Sequence, residues 1–194
     1  RHQESEWNKQ GRWTGSVNVG LTEHGFEMSR NMGHLIKDIH IDDAFASTQI
    51  RSLETLLCME DGVCIDVPIT RNGSLNERDY GDYTGKDKWE EEFDKLRRNW
   101  DYPVPNGETL KMVYERIVPY FLSVILPLIQ TNKNVLLVAH GNSLRALTKY
   151  IENITDEDVA HIEISFGTVI VYDLTEDGHN VHKEIRSIDT FVSA

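Results

Sequence analysis

The chain has 194 residues and a formal net charge of −12, long enough for one well-buried core with no linker to divide it, so residues 1–194 are expected to form one domain. The acidic balance argues against nucleic acid or an anionic membrane as partner. An anionic small substrate would need locally clustered Arg and Lys.

Arg1 to Asn8 packs an arginine, a histidine and short hydrogen-bonding side chains into one turn. It reads either as a ligand-holding loop or as a solvated terminus. Gly11 to Gly20 lacks any period and is a loop. From Thr22 the spacing of Met28, Met32, Leu35, Ile36 and Ile39 predicts a helix, with His24 and His34 on its polar side. Asp43 to Ala46 fits a short strand, and Ser47 fits the cap of a helix carrying Ile50, Leu53, Leu56 and Leu57. Arg51 falls just inside that helix start, where an anion would find it. Cys58 and Cys64 have neither metal-ligand spacing nor a disulfide framework and are expected to be reduced and buried. The alternation of Val63, Ile65, Val67 and Ile69 predicts a strand. It leads into Leu75 to Asp82, a loop crowded with ionisable side chains. Lys86 to Asp101 is dense in charge, which composition alone reads as a solvated helix face.

After the breaker Pro103–Gly107 a long helix is predicted, with Leu110, Val113, Tyr114, Ile117, Phe121, Val124, Ile125 and Leu128 inward and Pro119 bending it. Val135 to Ala139 is a continuous apolar run that stops at His140-Gly141-Asn142, after which Leu144 and Leu147 resume helical spacing. That is a buried strand entering a helix through a tight turn, with Asn142 as candidate N-cap. A histidine there faces the crevice where open α/β sheets bind ligands, and the first helix amides attract anions. A lone histidine in that position is more often a core residue. Thr155 and Asp158 form a variant capping box. Thr168 to Leu174 reads as an apolar strand and Val181 to Ser187 as an edge strand. Strands alternating with helices, several apolar throughout, predict an α/β fold with a mostly parallel central sheet covered on both faces. No Cys/His spacing supports a metal, and no membrane-spanning run or signal-peptide pattern is apparent, so a soluble, cytoplasmic protein is expected.

Set side by side, Arg1-His2 with Ser5-Glu6-Trp7-Asn8 and the distant His140-Gly141-Asn142-Ser143-Leu144-Arg145 resemble the histidine phosphatase superfamily, and within it the cofactor-dependent phosphoglycerate mutases. Trp13-Thr14-Gly15, Arg51, Leu75-Asn76-Glu77-Arg78 with Tyr80-Gly81, Gly85 to Lys88, Arg97-Arg98 and Asn106-Gly107-Glu108 extend the match over most of the chain. The resemblance implies a three-layer α/β/α sandwich of the phosphoglycerate mutase type, with a buried strand immediately before Arg1. It implies that His2 becomes phosphorylated, that Arg1, Arg51 and His140 form the phosphate pocket, and that Glu77 is the acid/base. Asn8 and the amides of Gly141 and Asn142 would be neutral donors, Arg97, Arg98, Tyr80 and Lys88 would clamp the substrate carboxylate, and Thr14 and Gly15 would add contacts.

These roles suit the chemistry. A neutral imidazole is both nucleophile and leaving group, and fixed cations with imidazolium donors would balance the transferring charge without a metal. By resemblance, 2,3-bisphosphoglycerate primes the enzyme and 2- and 3-phosphoglycerate are interconverted, with a homodimer or homotetramer as the form. Two alternatives stand beside this. One is a phosphatase of the same superfamily acting on a small phosphate ester. The other is a catalytically silent phosphometabolite-binding relative, since Gln3 occupies the place of the family's glycine.

Overall fold

The structure, a computed structural model, describes residues 1–62, 66–88, 96 and 99–188. Helices α1 (Glu6–Lys9) and α2 (Glu23–His34) precede strand β1 (Asp43–Ala46), helix α3 (Ile50–Gly62) and strand β2 (Ile69–Arg71). The long helix α4 (Leu110–Gln130) leads to β3 (Val135–Val138), α5 (Gly141–Ile151) and the strands β4 (Thr168–Leu174) and β5 (Asn180–Ser187).

The sheet alternation decides the layering. Strands β2, β1 and β3 are parallel in that order, with Phe45 opposite Thr70 on one side and Leu137 on the other. Phe45 packs into the cluster formed by α4 and α5, with Leu110, Val113, Ile117 and Leu147. Its neighbours Ala44 and Ala46 pack the opposite way, onto Met32, Ile36, Leu56 and Met59 of the α2–α3 side. Successive strand residues therefore face opposite layers, the consequence of a period of two. Both faces are covered by helices, as the apolar character of the strands predicts.

β4 and β5 pair antiparallel in a separate hairpin rather than joining the parallel strands. Between β3 and β4 lies a cavity of about 1160 Å³, lined among others by Met32, Ile36, Leu136, Leu137, Val169 and Val171, with Arg1 at its wall.

Several local expectations need correction. Val63–Ile69 is not one strand: α3 runs to Gly62, residues 63–65 lie outside the described residues, and β2 begins only at Ile69. Pro68 supplies no amide to a ladder, so pairing starts after it. The buried stripe of α3 is Ser52, Thr55, Leu56 and Met59, while Leu57 is 44% exposed and Cys58 is half-buried. Cys64 lies outside the described residues. In α4 the backbone widens after Pro119 into a π-turn over Phe121–Ile125, where the Leu126 amide reaches Phe121 O. The extra residue per turn rotates the stripe, so Leu126 is buried and Val124 is exposed. By length and composition α4 is apolar enough to cross a bilayer, contrary to the sequence expectation, but its apolar stripe packs into the core of the fold.

Gly25 positions the N-terminal loop. A Cβ there would stand 2.2 Å from the Glu4 carbonyl oxygen, so only glycine lets the first turn of α2 lie against that backbone. Gly25→Ala is expected to lower stability by about 1–3 kcal/mol, through overpacking against backbone that has little room to yield. The check is the denaturation midpoint, which should drop while the m-value stays constant.

Candidate active site

The parallel strands deliver their carboxyl ends to one edge. The chain runs from β1 out to β2 and then crosses back to β3, so the switch point lies between β1 and β3, where crevices form. Ser47 leaves β1 and His140 leaves β3 at that point, and Ser47 Oγ lies 2.7 Å from His140 Nε2. The first residues of the chain close over the same edge, the His2 amide donating to the Ala139 carbonyl at 2.9 Å. Arg1 to Asn8 is therefore no frayed terminus: His2 is 2% exposed, and its ring lies 4.8 Å from that of His140.

His2 has a defined tautomer. Its Nδ1 lies 2.6 Å from the Gln3 carbonyl oxygen, which can only accept, and Arg51 Nε donates to its Nε2 at 3.3 Å. The proton is on Nδ1 and the lone pair on Nε2. Burial, and then the guanidiniums of Arg51 and Arg1, push the His2 pKa well below 6.5. His140 is lowered too, by burial and then by Arg51. The fixed positive charge of the pocket therefore belongs to arginine, and the expected imidazolium donor is a neutral imidazole here. Ser47 Oγ accepts the Gln49 amide at 3.1 Å, and its hydroxyl proton is satisfied if it donates to His140 Nε2. His140 then carries its proton on Nδ1, a buried atom with no hydrogen-bond partner among the described residues.

Arg51 is 1% exposed and holds the Val17 and Gly15 carbonyls with its other nitrogens, at 2.9 and 3.0 Å. Burial lowers its pKa to about 10, so it stays cationic at neutral pH. Arg1 donates to the Ile164 carbonyl and stacks 3.8 Å over the Phe166 ring. Its guanidinium carbon lies 3.7 Å from where a Cβ on Gly141 would be. The start of α5 thus lies between Arg1 and Glu77.

The N-cap of α5 is His140 itself, not Asn142, because His140 has extended backbone and the helix begins at Gly141. Asn142 instead sits in the first turn, and its amide donates to Glu77 Oε1 at 3.1 Å. The Arg78 amide donates to the same oxygen at 2.9 Å. Asn142 Nδ2 donates to the Tyr80 hydroxyl at 2.6 Å, while Arg145 holds Asn142 Oδ1 at 2.6 Å from beneath. Tyr80 packs on Trp13 with ring centroids 4.3 Å apart, and burial pushes its pKa up to about 12. Lys88 lies 5.6 Å over the Trp13 ring, and the buried Thr14 Oγ has no hydrogen-bond partner among the described residues.

Contacts thus join Arg1, His2, Gly15, Arg51, Glu77, Tyr80, His140, Gly141 and Asn142 in one cluster, with Thr14 and Lys88 at its Trp13 side. Asn8 is partly committed elsewhere, since its Oδ1 accepts the Ser5 amide and hydroxyl in the capping box of α1. Arg97 and Arg98 lie outside the described residues. Gln3 directs its side chain away from the histidines. Its Oε1 accepts the Gly167 amide at 2.9 Å, and its Nε2 donates to the Arg1 carbonyl and Met32 Sδ. Ser47, read from the sequence only as a helix cap, Arg145, named only within the His140–Arg145 motif, and Gln49, not singled out at all, also belong to the site. Arg78, likewise named only as part of a motif, is fully buried and binds the Glu108, Leu96 and Tyr102 carbonyls, anchoring the segment beside the site.

Comparison with known proteins agrees with this geometry. Residues 1–185 match the family model described as histidine phosphatase superfamily (branch 1). A 2,3-bisphosphoglycerate-dependent phosphoglycerate mutase of Parvibaculum lavamentivorans is 42% identical over 195 residues, covering 95% of this chain and 93% of that protein. One of Erythrobacter litoralis is 38% identical, covering 89% and 90%. Among solved structures, an α-ribazole-5'-phosphate phosphatase of Escherichia coli, described as putative, superposes with a TM-score of 0.77 at 22% identity, covering 96% of this chain and 92% of that one. A mycobacterial glucosyl-3-phosphoglycerate phosphatase gives 0.77 at 16% identity, covering 96% and 94%. With His2, Arg51 and His140 gathered at one sheet edge and the family match spanning nearly its whole length, the chain belongs to the histidine phosphatase superfamily, in kinship with the 2,3-bisphosphoglycerate-dependent phosphoglycerate mutases.

Proposed function

We propose that this chain is a phosphoglycerate mutase, interconverting 2- and 3-phosphoglycerate through a phosphohistidine at His2. The observation that carries the reading is a neutral His2 whose Nε2 lone pair is held beside two guanidiniums. The site suits a phosphorylated acid as primer: Arg51 bonds His2, the His2 and His140 rings lie 4.8 Å apart, Arg1 lies beside Gly141, and His140 Nδ1 has no hydrogen-bond partner among the described residues. 2,3-Bisphosphoglycerate, when bound, supplies the phosphoryl group that primes His2.

His2 Nε2 forms the N–P bond as the P–O bond of the donor breaks. The proton stays on Nδ1, donated in a hydrogen bond to the Gln3 carbonyl, so the ring need not shed a proton before attack. Arg51 and Arg1 stabilise charge on the phosphoryl oxygens, and the N-terminal amides of α5 add fixed dipoles. Glu77 gives a proton to the departing hydroxyl and takes one from the attacking hydroxyl in the return step. At the far side Tyr80, Lys88 and Thr14 offer donors for the carboxylate end, with Arg97 and Arg98 assigned there by their match to the family. The same reading treats residues 1–194 as one phosphoglycerate mutase-like domain. The cavity between β3 and β4 supports placing there the strand that the family carries before its Arg-His pair. It also assigns the protein to the cytoplasm as a soluble homo-oligomer. Superposition on phosphatases keeps one second reading, hydrolysis of a small phosphate ester.

Intact mass after incubation with 2,3-bisphosphoglycerate is expected to show one phosphoryl adduct, absent from His2→Ala. Glu77→Gln should lower mutase kcat about 10²–10⁴-fold, the range of general acid–base catalysis. Phosphate release without the bisphosphate, accompanied by negligible isomerisation, would replace the mutase by the phosphatase.

The buried histidines also set a pH dependence of stability. Both are depressed below 6.5 in the folded chain, so beneath that pH the unfolded chain binds protons that the folded one refuses. Their contribution is complete above 6.5 and is lost as pH falls through 6.5 toward the folded values, by at most about 1.4 kcal/mol per pH unit for each histidine. Denaturation at pH 7.5 and 5.5 should show a shallower loss for His140→Gln than for the parent chain. Equal losses would contradict the neutral pair.

A further inference from the structure

Gln49 lies between β1 and α3, is 3% exposed and has every polar atom bonded. Its amide donates to Ser47 Oγ at 3.1 Å, and its carbonyl accepts the Ser52 amide at 3.2 Å. The side chain spans two other segments. Nε2 donates to the Gly15 carbonyl at 2.8 Å, and Oε1 accepts the Glu77 amide at 2.8 Å. Gly15 has φ of 51°, and a Cβ there would meet Tyr80 at 3.2 Å, so this loop has one narrow course beside the tyrosine. Its carbonyl is shared with Arg51, two residues after Gln49. The Glu77 backbone, for its part, leads to a carboxylate already held by the Arg78 and Asn142 amides.

A single buried side chain thus links the loop carrying Thr14 and Gly15 to the residue assigned as acid/base, from the turn just before the helix that carries Arg51. Removing the acceptor arm takes away the partner of the Glu77 amide, and removing the donor arm leaves the Gly15 carbonyl with Arg51 alone, so in each case the segment loses a hold and can shift. Sub-ångström misplacement of a reacting group is enough to slow transfer. We propose that Gln49 is a positioning residue: its acceptor arm fixes Glu77 for proton transfer and its donor arm fixes the substrate loop. The proposal rests on the assignment of Glu77 as acid/base.

The two arms separate by substitution. Gln49→Glu keeps an oxygen for the Glu77 amide but, when ionised, has no donor for Gly15. It should raise KM about tenfold with kcat within about threefold of the parent. As pH falls the introduced carboxyl regains a proton to donate, and the KM of this variant should return toward that of the parent measured at the same pH. Gln49→Met keeps the length and loses both arms, so kcat should also fall about 10–100-fold. In a Glu77→Gln background the further loss in kcat from Gln49→Met should shrink to less than about threefold, since the group it positions no longer moves a proton. A full, additive loss in that background, or the same KM and kcat for Gln49→Glu and Gln49→Met, would make Gln49 a purely structural residue. If the parent releases phosphate without isomerising, the mutase reading fails. The same cycle run on phosphate release then still decides the role of Gln49.

Discussion

Everything at this site depends on two bonds to one imidazole: Nδ1 donating to the Gln3 carbonyl, and Nε2 accepting from Arg51. A buried histidine beside two cations loses its proton readily, because burial and the repulsion of Arg51 and Arg1 act in the same direction. On the proposed mechanism, the Arg51 guanidinium that would meet a phosphoryl group also helps burial keep His2 unprotonated. The surrounding structure fixes this arrangement from three sides. Ala139 at the end of β3 takes the His2 amide, Thr55 of α3 takes the Gln3 amide at 3.0 Å, and Gly15 and Val17 take the outer nitrogens of Arg51.

The amides at the start of α5 add a competition. The Asn142 amide donates to the Glu77 carboxylate. A phosphoryl group approaching the helix N-terminus seeks the same partial positive charge. On the proposed mechanism, whatever share of it phosphoryl oxygens took would be withdrawn from Glu77, which would couple anion binding to the hydrogen bonding of the proposed acid/base. The Arg78 amide also donates to Glu77 Oε1, a second hold on the carboxylate that does not depend on the helix terminus.

Much of this was legible in the sequence where one residue type carries both pattern and chemistry. The run Val135–Ala139 reads as a buried strand because a parallel strand covered on both faces must be apolar throughout. His2, Arg51, Glu77 and His140 are legible as a set through their resemblance to a family, not through periodicity. Ser47 and Gln49 were not, since a short polar residue before a helix looks like a cap. Ser47 does accept an amide there, and its contact with His140 spans 93 positions of chain. Local backbone supplied the other surprises. Pro68 delays β2, and the π-turn after Pro119 changes which residues of α4 face inward, a shift that a fixed period of 3.6 cannot register.

The glutamine at position 3 tests how far a motif letter binds the chemistry behind it. Glycine is required where φ is positive or where a side chain would strike a neighbour. Gln3 meets neither condition: the non-glycine residues with positive φ among those described are Asn106, Asn132 and Asn153. Its side chain is 1% exposed and bonded to Gly167, the Arg1 carbonyl and Met32 rather than to either histidine. The group that orients His2 is the carbonyl of residue 3, which any amino acid provides. A residue that keeps this carbonyl and sends its side chain toward the start of β4 leaves the orientation of His2 as it would be with glycine. The geometry at position 3 therefore gives no ground for reading the chain as a silent relative.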